Sequence, residues 1–109
     1  MDSTKIISAG STNAAVIRKG ACSLVGYYIH NSNAAARVVK LYDLAEAPVV
    51  GTSVPKLTLP IPANGVSQLS FDEDLKFQLG IAVATTVKPA DNNAEAVAAE
   101  DLTINLFHR

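Results

Sequence analysis

Charged residues are scarce in this 109-residue chain, and aromatic residues are scarcer still. Asp, Glu, Lys and Arg make up 17% of the sequence, against about 25% in typical soluble domains. Tryptophan is absent and aromatics account for 6%, although 49% of the chain is hydrophobic, so the apolar content is mostly small and aliphatic. A single domain of this length exposes a large share of its surface. The shortage of charge therefore suggests that another molecule covers part of that surface.

Other absences exclude whole classes of protein. Nine basic residues face ten acidic ones, so no basic excess is present to neutralise phosphates and we expect no nucleic-acid partner. No apolar run reaches the roughly 18 residues that a membrane helix requires, so no membrane partner is expected either. Met1–Lys5 lacks the start of a secretory signal peptide, and Cys22 alone cannot form an internal disulfide. Together these features predict synthesis and folding in a cytoplasm.

Short apolar runs recur about every ten residues and are separated by Gly, Pro, Asn, Ser and Asp. This spacing predicts an all-β protein, a single-domain antiparallel β-sandwich or jelly roll of about eight strands. Residues 1–12 are assigned to a polar N-terminal arm and residues 13–109 to the sandwich domain. The predicted strands are 5–9, 14–19, 22–30, 37–43, 55–62, 66–71, 79–86 and 102–107, while the Ala- and Glu-rich residues 91–101 are expected to form a loop.

Alternation within these runs predicts how the strands are placed. Strand 22–30 has apolar or aromatic residues on both faces, so we expect a central strand covered on each side, paired in a hairpin with strand 37–43. Asn64-Gly65 is typical of a type I′ turn, which would pair the strands on either side of it. The alternation also directs Leu69 and Leu79 inward.

Residues capable of catalysis or metal binding do not form a recognisable constellation. His30 and His108 lie in predicted strands without ligand spacing, and the sequence contains no phosphate-binding loop or nucleophile elbow. Cys22 could act as a nucleophile with a histidine as base, but a small buried thiol is the favoured interpretation. The acidic run 72–74 points to alternate sides of an extended chain and favours a solvated turn. The sequence therefore predicts a protein that is not an enzyme, with no catalytic residues, no metal and no cofactor.

The tyrosines admit two interpretations. Tyr27, Tyr28 and Tyr42 could form a platform on which a sugar stacks, or they could anchor the core and an interface, with each hydroxyl reaching a polar partner. We favour the second interpretation and keep a carbohydrate-binding module as an alternative.

Five segments of the chain have distinctive strand and turn patterns: YIHNSNAAARVVKLYD (28–43), APVVGT (47–52), LPIPANG (59–65), GIAVATT (80–86) and DLTINLF (101–107). Together they resemble small β-rich virion structural proteins of tailed bacteriophages. The likeness covers roughly residues 20–109 and includes no catalytic signature.

The resemblance implies a capsid decoration (cement) protein that binds the outer capsid and stabilises the shell. Its partners would be the major capsid protein or other virion proteins, and its location the capsid surface after synthesis in the host bacterial cytoplasm. Closed symmetry is usual among homo-oligomers, and we expect a trimer. The alternative within the same class is a small tail, neck or fibre module.

Two parts of the chain are candidates for contact with such a partner. The N-terminal arm is polar and can become ordered on binding. The connection around Pro48 and Gly51 places apolar side chains near an exposed turn. The predicted interface residues are Ser3, Thr4, Lys5, Ile6, Tyr42, Leu44, Val49 and Val50, and the loop 87–100 is a further candidate.

Overall fold

The structure, a computed structural model, describes residues 1–109 and consists of eight β-strands joined by turns and loops. No helix in it is long and apolar enough to span a membrane. The strands are β1 (Asp2–Ile7), β2 (Ala15–Lys19), β3 (Cys22–Asn31), β4 (Arg37–Asp43), β5 (Leu57–Ile61), β6 (Val66–Phe77), β7 (Gly80–Thr86) and β8 (Leu102–His108).

The strands form two four-stranded antiparallel sheets. The first sheet has the order β1-β8-β3-β6 and the second the order β2-β7-β4-β5. The first strand of the chain pairs with the last, the second with the last but one, and so on towards the middle. β1 thus pairs with β8, β2 with β7, β3 with β6 and β4 with β5. The chain thus behaves as one long antiparallel ribbon, folded back at the connection 44–56 and rolled into a barrel-like sandwich. This is a jelly roll, which confirms the fold class predicted from the sequence.

The core lies between the inner faces of the two sheets. Strict alternation on β8 directs every second residue inward, as its burial pattern shows. The same alternation on β4 places Val39 and Leu41 in the core while Val38, Lys40 and Tyr42 point outward. The main core residues are Leu24, Ile29, Val39, Leu41, Ile61, Phe77, Ile81, Val83, Leu102, Ile104 and Leu106.

Both predicted hairpins are wrong, because rolling the ribbon separates strands that follow each other in sequence. β3 and β4 belong to different sheets, and so do β5 and β6. At the expected type I′ turn only Asn64 has a positive φ, whereas both central residues of that turn would need one. Residues 62–65 instead form a connection that crosses between the sheets and is closed by a hydrogen bond from the Gly65 N–H to the Pro62 carbonyl.

Three details of the predicted strands also change. The pairing of β3 shifts register between Leu24 and Gly26, so this bulge brings Leu24 and Tyr27 to the same, inward face. β6 continues through the acidic run 72–74, although residues 71–74 have no register partner on β3, where only Val25 separates the paired residues Leu24 and Gly26. β7 begins only at Gly80, which leaves Leu79 in a turn with 55% of its surface exposed rather than pointing inward.

The N-terminal residues belong to the sandwich. Residues 2–7, which the sequence prediction assigned to an arm, form an edge strand with six paired positions along β8, from Asp2 opposite His108 to Ile7 opposite Thr103. The physical reason is that backbone pairing satisfies polar groups that a free arm would leave to water. Residues 8–14 form the connection to β2.

Candidate interaction surfaces

One end of the sandwich collects both chain termini, the turns at 20–21 and 78–79, and the connection 44–56; we call it the terminal end. Four of the eight exposed large apolar side chains lie there, namely Met1, Val49, Val54 and Leu79, with exposures from 55% to 77%. Val49 and Leu79 line one pocket at this end, whereas Met1 lies beside Tyr28 and Leu69 on the outer face of the first sheet. Neighbouring exposed apolar side chains such as Val49 and Leu79 are typical of a surface that another molecule covers.

A shallow hollow of about 290 Å³ lies within the terminal end. The connection 44–56 and Leu79 enclose it, and Glu46 is its one charged lining residue. Leu44 and Val49, both predicted interface residues, line the hollow. The Asp43 carboxylate accepts backbone N–H bonds from Gln78, Leu79 and Gly80 at 3.0, 2.8 and 3.4 Å, which holds the turn that presents Leu79. Burial acts to raise the pKa of Asp43, but these bonds outweigh it and the net pKa is lowered.

The outer face of the second sheet is covered by the chain itself. The connection 44–56 and the loop 87–100 fold over it and meet where Gly51 approaches the Asn92 backbone and Ala94. Lys40 is fully buried beneath them, and its Nζ donates to the carbonyls of Ala90 and Asn93 at 2.7 and 3.2 Å. Burial lowers the pKa of Lys40. The loop 87–100 is therefore fastened to the sandwich, and as predicted it contains no helix.

Tyr42 is enclosed under these loops and cannot meet a partner, so its assignment as an interface residue is corrected. It is fully buried against Ala82 and Ala84, with Leu44 and Val50 packed on the same cluster. Its hydroxyl has no hydrogen-bond partner, and burial raises its pKa. Val50 consequently faces the protein, while Val49 next to it is 65% exposed.

The unpartnered hydroxyl makes Tyr42→Phe an informative substitution. We expect the free energy of unfolding to stay the same or rise by about 1 kcal/mol, because the ring is retained and an unsatisfied buried polar group is removed. Urea unfolding of Tyr42→Phe and of the exposed control Tyr28→Phe measures this. A loss above about 1 kcal/mol would show that the Tyr42 hydroxyl has a partner in solution.

The outer face of the first sheet is open, contrary to the prediction that β3 is covered on both sides. Tyr28 is 42% exposed there and His30 is also exposed. A groove of about 590 Å³ runs beside Tyr28 and Phe107 and reaches Leu69 on β6. Because of the bulge in β3, the Tyr27 side chain points into the core. There it packs edge-on against Phe71, with the ring centroids 6.3 Å apart. The three tyrosines therefore do not form one sugar-stacking platform.

The four predicted N-terminal contact residues divide between two faces. Ser3 and Lys5 are exposed, whereas Thr4 and Ile6 turn inward. The Thr4 hydroxyl lies 3.0 Å from Nε2 of His108, whose Nδ1 is buried without a partner. Burial lowers the pKa of His108, and the nearby Arg18 lowers it further. Only Ser3 and Lys5 are thus available to a partner while β1 stays in the sheet.

Two of the groups considered for catalysis are buried or held in an ion pair. Cys22 is buried, and burial raises the pKa of its thiol. Asp74 binds Nε of Arg109 at 2.7 Å, and no group of three or more His, Cys, Asp or Glu side chains is placed to hold a metal ion.

Two surface residues were missed at the sequence level. Leu79 was assigned to the first position of strand 79–86, although Gly80 directly after it is a turn signal that indicates an exposed position. Leu69 was directed inward by alternation, but it is 48% exposed because β6 lies at the rim of its sheet.

No protein-family model matches the chain, and no curated protein matches it. Among solved structures, the coat protein of Tobacco streak virus is similar over 95% of this chain and 83% of the viral chain, with 16% sequence identity and a TM-score of 0.32. A structure of the dimer of that coat protein gives the same identity, coverage and TM-score. Similarity at this level assigns neither a family nor a function, so the strand order of this chain is what establishes its fold.

Proposed function

We propose that this chain is a non-enzymatic structural protein of a bacteriophage virion, which binds the outer capsid as a decoration protein through its terminal end. The observation that supports this most is the hollow at that end, which the exposed apolar side chains of Val49 and Leu79 line together. The eight-stranded jelly roll is an architecture that viral capsid domains also use, which is a fold-level analogy.

The terminal end suits attachment to a large rigid assembly. Its hollow is apolar, and Asp43 fixes the turn that carries Leu79, so little ordering is required on binding. Each contact is small, but many copies on a shell add up to a large effect on shell stability. The major capsid protein is the proposed partner, and the capsid surface the proposed location.

The substitution Leu79→Lys tests this surface. We expect occupancy on purified virions to fall by about tenfold or more, because a lysine in place of a buried apolar anchor must be desolvated on binding. Ile7→Lys is a matched control, since Ile7 is also 55% exposed but lies away from the terminal end. Occupancy is measured by quantitative mass spectrometry of the virions after addition of each variant.

The possible results of this experiment distinguish a wrong contact surface from a wrong virion role. Unchanged occupancy for Leu79→Lys would place the contact elsewhere on the domain. Absence of the wild-type chain from virions would refute the virion role, and electron microscopy that locates it on the tail would favour the tail, neck or fibre alternative. Deletion of residues 1–12 is a poor test because it removes the edge strand β1 from the sheet.

A further inference from the structure

The first part of β6, residues 66–70, has an outer edge that pairs with no other strand and lacks the usual protection. β6 lies at the rim of the first sheet, and its backbone bonds only to β3. Alternate N–H and C=O groups along this segment therefore point away from the protein. Val66 and Leu69 are 39% and 48% exposed beside them.

The other three edges of the sandwich are blocked in ways that prevent strand pairing. β1 carries Asp2 and Lys5, and Asp2 forms an ion pair with Arg18 on β2 at 3.3 Å. β2 also has an irregular register before Arg18 and ends in Lys19. β5 contains Pro60, which has no N–H to donate. Charge, proline and bulges are the features that natural proteins use to protect edges. Residues 66–70 contain none of them, since the irregular part of β6 begins at Phe71.

We propose that this segment is a self-association surface, where β6 pairs with β6 of a second copy about a two-fold axis and the two four-stranded sheets become one sheet of eight. Antiparallel pairing of a strand with itself is an isologous contact, in which the same residues serve both subunits. This inference does not depend on the proposed virion role. It leads to a dimer, which differs from the trimer expected from the sequence.

The charge distribution along β6 favours a register centred on Gln68. Residues directly opposite each other in an antiparallel pair lie on the same face, so the residue at the axis faces its own copy. With Gln68 at the axis, Val66 lies opposite Ser70 of the second copy, and the acidic run 72–74 lies opposite the uncharged turn 62–64. With Asp72 at the axis, two aspartates would face each other, which is unfavourable. The acidic run thus limits the register, and the paired segment is neutral throughout.

This register makes position 68 a specific test. In Gln68→Lys and in Gln68→Glu two like charges would face each other across the axis, and we expect each variant to dimerise about fivefold more weakly than the wild type. An equimolar mixture of the two variants places opposite charges across the axis, so mixed dimers should form in preference to either homodimer. Native mass spectrometry distinguishes these species by mass, and sedimentation gives the dissociation constants.

Ser3→Lys is the matched control, because Ser3 is an exposed strand residue at the opposite edge of the same sheet. We expect it to leave the dimer unchanged. Recovery of mixed dimers from the two position-68 variants also shows that both are folded. A wild-type protein that stays monomeric at its highest soluble concentration would overturn the inference. An oligomer that both variants leave intact would overturn it as well, because its interface would lie elsewhere.

Discussion

Replacement of Asp101 by alanine is expected to lower the free energy of unfolding by about 3–5 kcal/mol. The Asp101 carboxylate bonds to Nε of Arg37 at 3.1 Å, to the Asn33 side-chain amide at 2.9 Å and to the Ala98 N–H at 3.0 Å. The Arg37 side chain is only 16% exposed, so the variant would leave a guanidinium without its partner in a mostly buried site. Chemical denaturation followed by tyrosine fluorescence or circular dichroism measures the difference in the free energy of unfolding between the variant and the wild type.

Asp2→Ala is the control for Asp101→Ala, because it breaks an ion pair of similar length that is exposed. Asp2 and Arg18 have side-chain exposures of 72% and 37%, and such pairs contribute less than about 1 kcal/mol. If Asp101→Ala were no more destabilising than Asp2→Ala, the contacts of Asp101 at the end of the sandwich opposite the terminal end would contribute little to stability.

The same site predicts a dependence on pH. Burial acts to raise the pKa of Asp101, but hydrogen bonds from Asn33, the Ala98 N–H and Arg37 outweigh it, so the net pKa lies below its ordinary value. A carboxylate with a lowered pKa in the folded state stabilises the fold above the pKa of the unfolded state, about 4, and that contribution is lost as pH falls through the folded pKa. The stability difference between wild type and Asp101→Ala should therefore be full at neutral pH and shrink in acid.

Replacement of Gly80 by alanine is expected to cost about 3 kcal/mol. A Cβ atom at Gly80 would lie 2.5 Å from the Arg18 carbonyl oxygen and 2.8 Å from that of Leu44. These atoms belong to the backbone at the ends of the two strands that flank β7, so neither can move away without disturbing the sheet. Thermal and urea unfolding of the variant measures the cost.

Gly10→Ala is the matched control for Gly80→Ala. A Cβ atom at Gly10 would find its nearest neighbour at 3.8 Å, an ordinary van der Waals contact, so the stability should change by less than about 0.5 kcal/mol. Equal effects of the two substitutions on the free energy of unfolding would mean that the backbone around Gly80 accommodates the added Cβ atom at little cost in stability.

The strands were predictable from the sequence, whereas their partners were not. Alternation such as that of Leu102, Ile104 and Leu106 reports which residues are buried, and this information is local. Whether β3 pairs with β4 or with β6 depends on how the whole ribbon rolls, which no short segment encodes. The bulge at Val25 shows the same limit, because this one extra residue on β3 opposite β8 places Leu24 and Tyr27 on the same face, which strict alternation does not predict.

The candidate surfaces were predictable in part and for a related reason. Val49 was expected at the surface because Pro and Gly mark exposed connections, and it is exposed. Tyr42 belongs to the same stretch of sequence, yet it is buried because the connection 44–56 and the loop 87–100, far apart in the chain, close over it. The β6 edge, in contrast, has a sequence signal: a short run without charge or proline that ends at an acidic cluster.

The pairing of Asp2 with His108 places the two ends of the chain on neighbouring strands. The backbone could therefore be closed by a short linker and opened in the connection at residues 52–54, where Thr52 and Val54 are exposed, giving a circular permutant with the same sandwich. In such a molecule the existing fold-back of the ribbon becomes the new pair of ends, while all eight strands keep their neighbours. The order in which the strands are synthesised is then separable from the architecture they form.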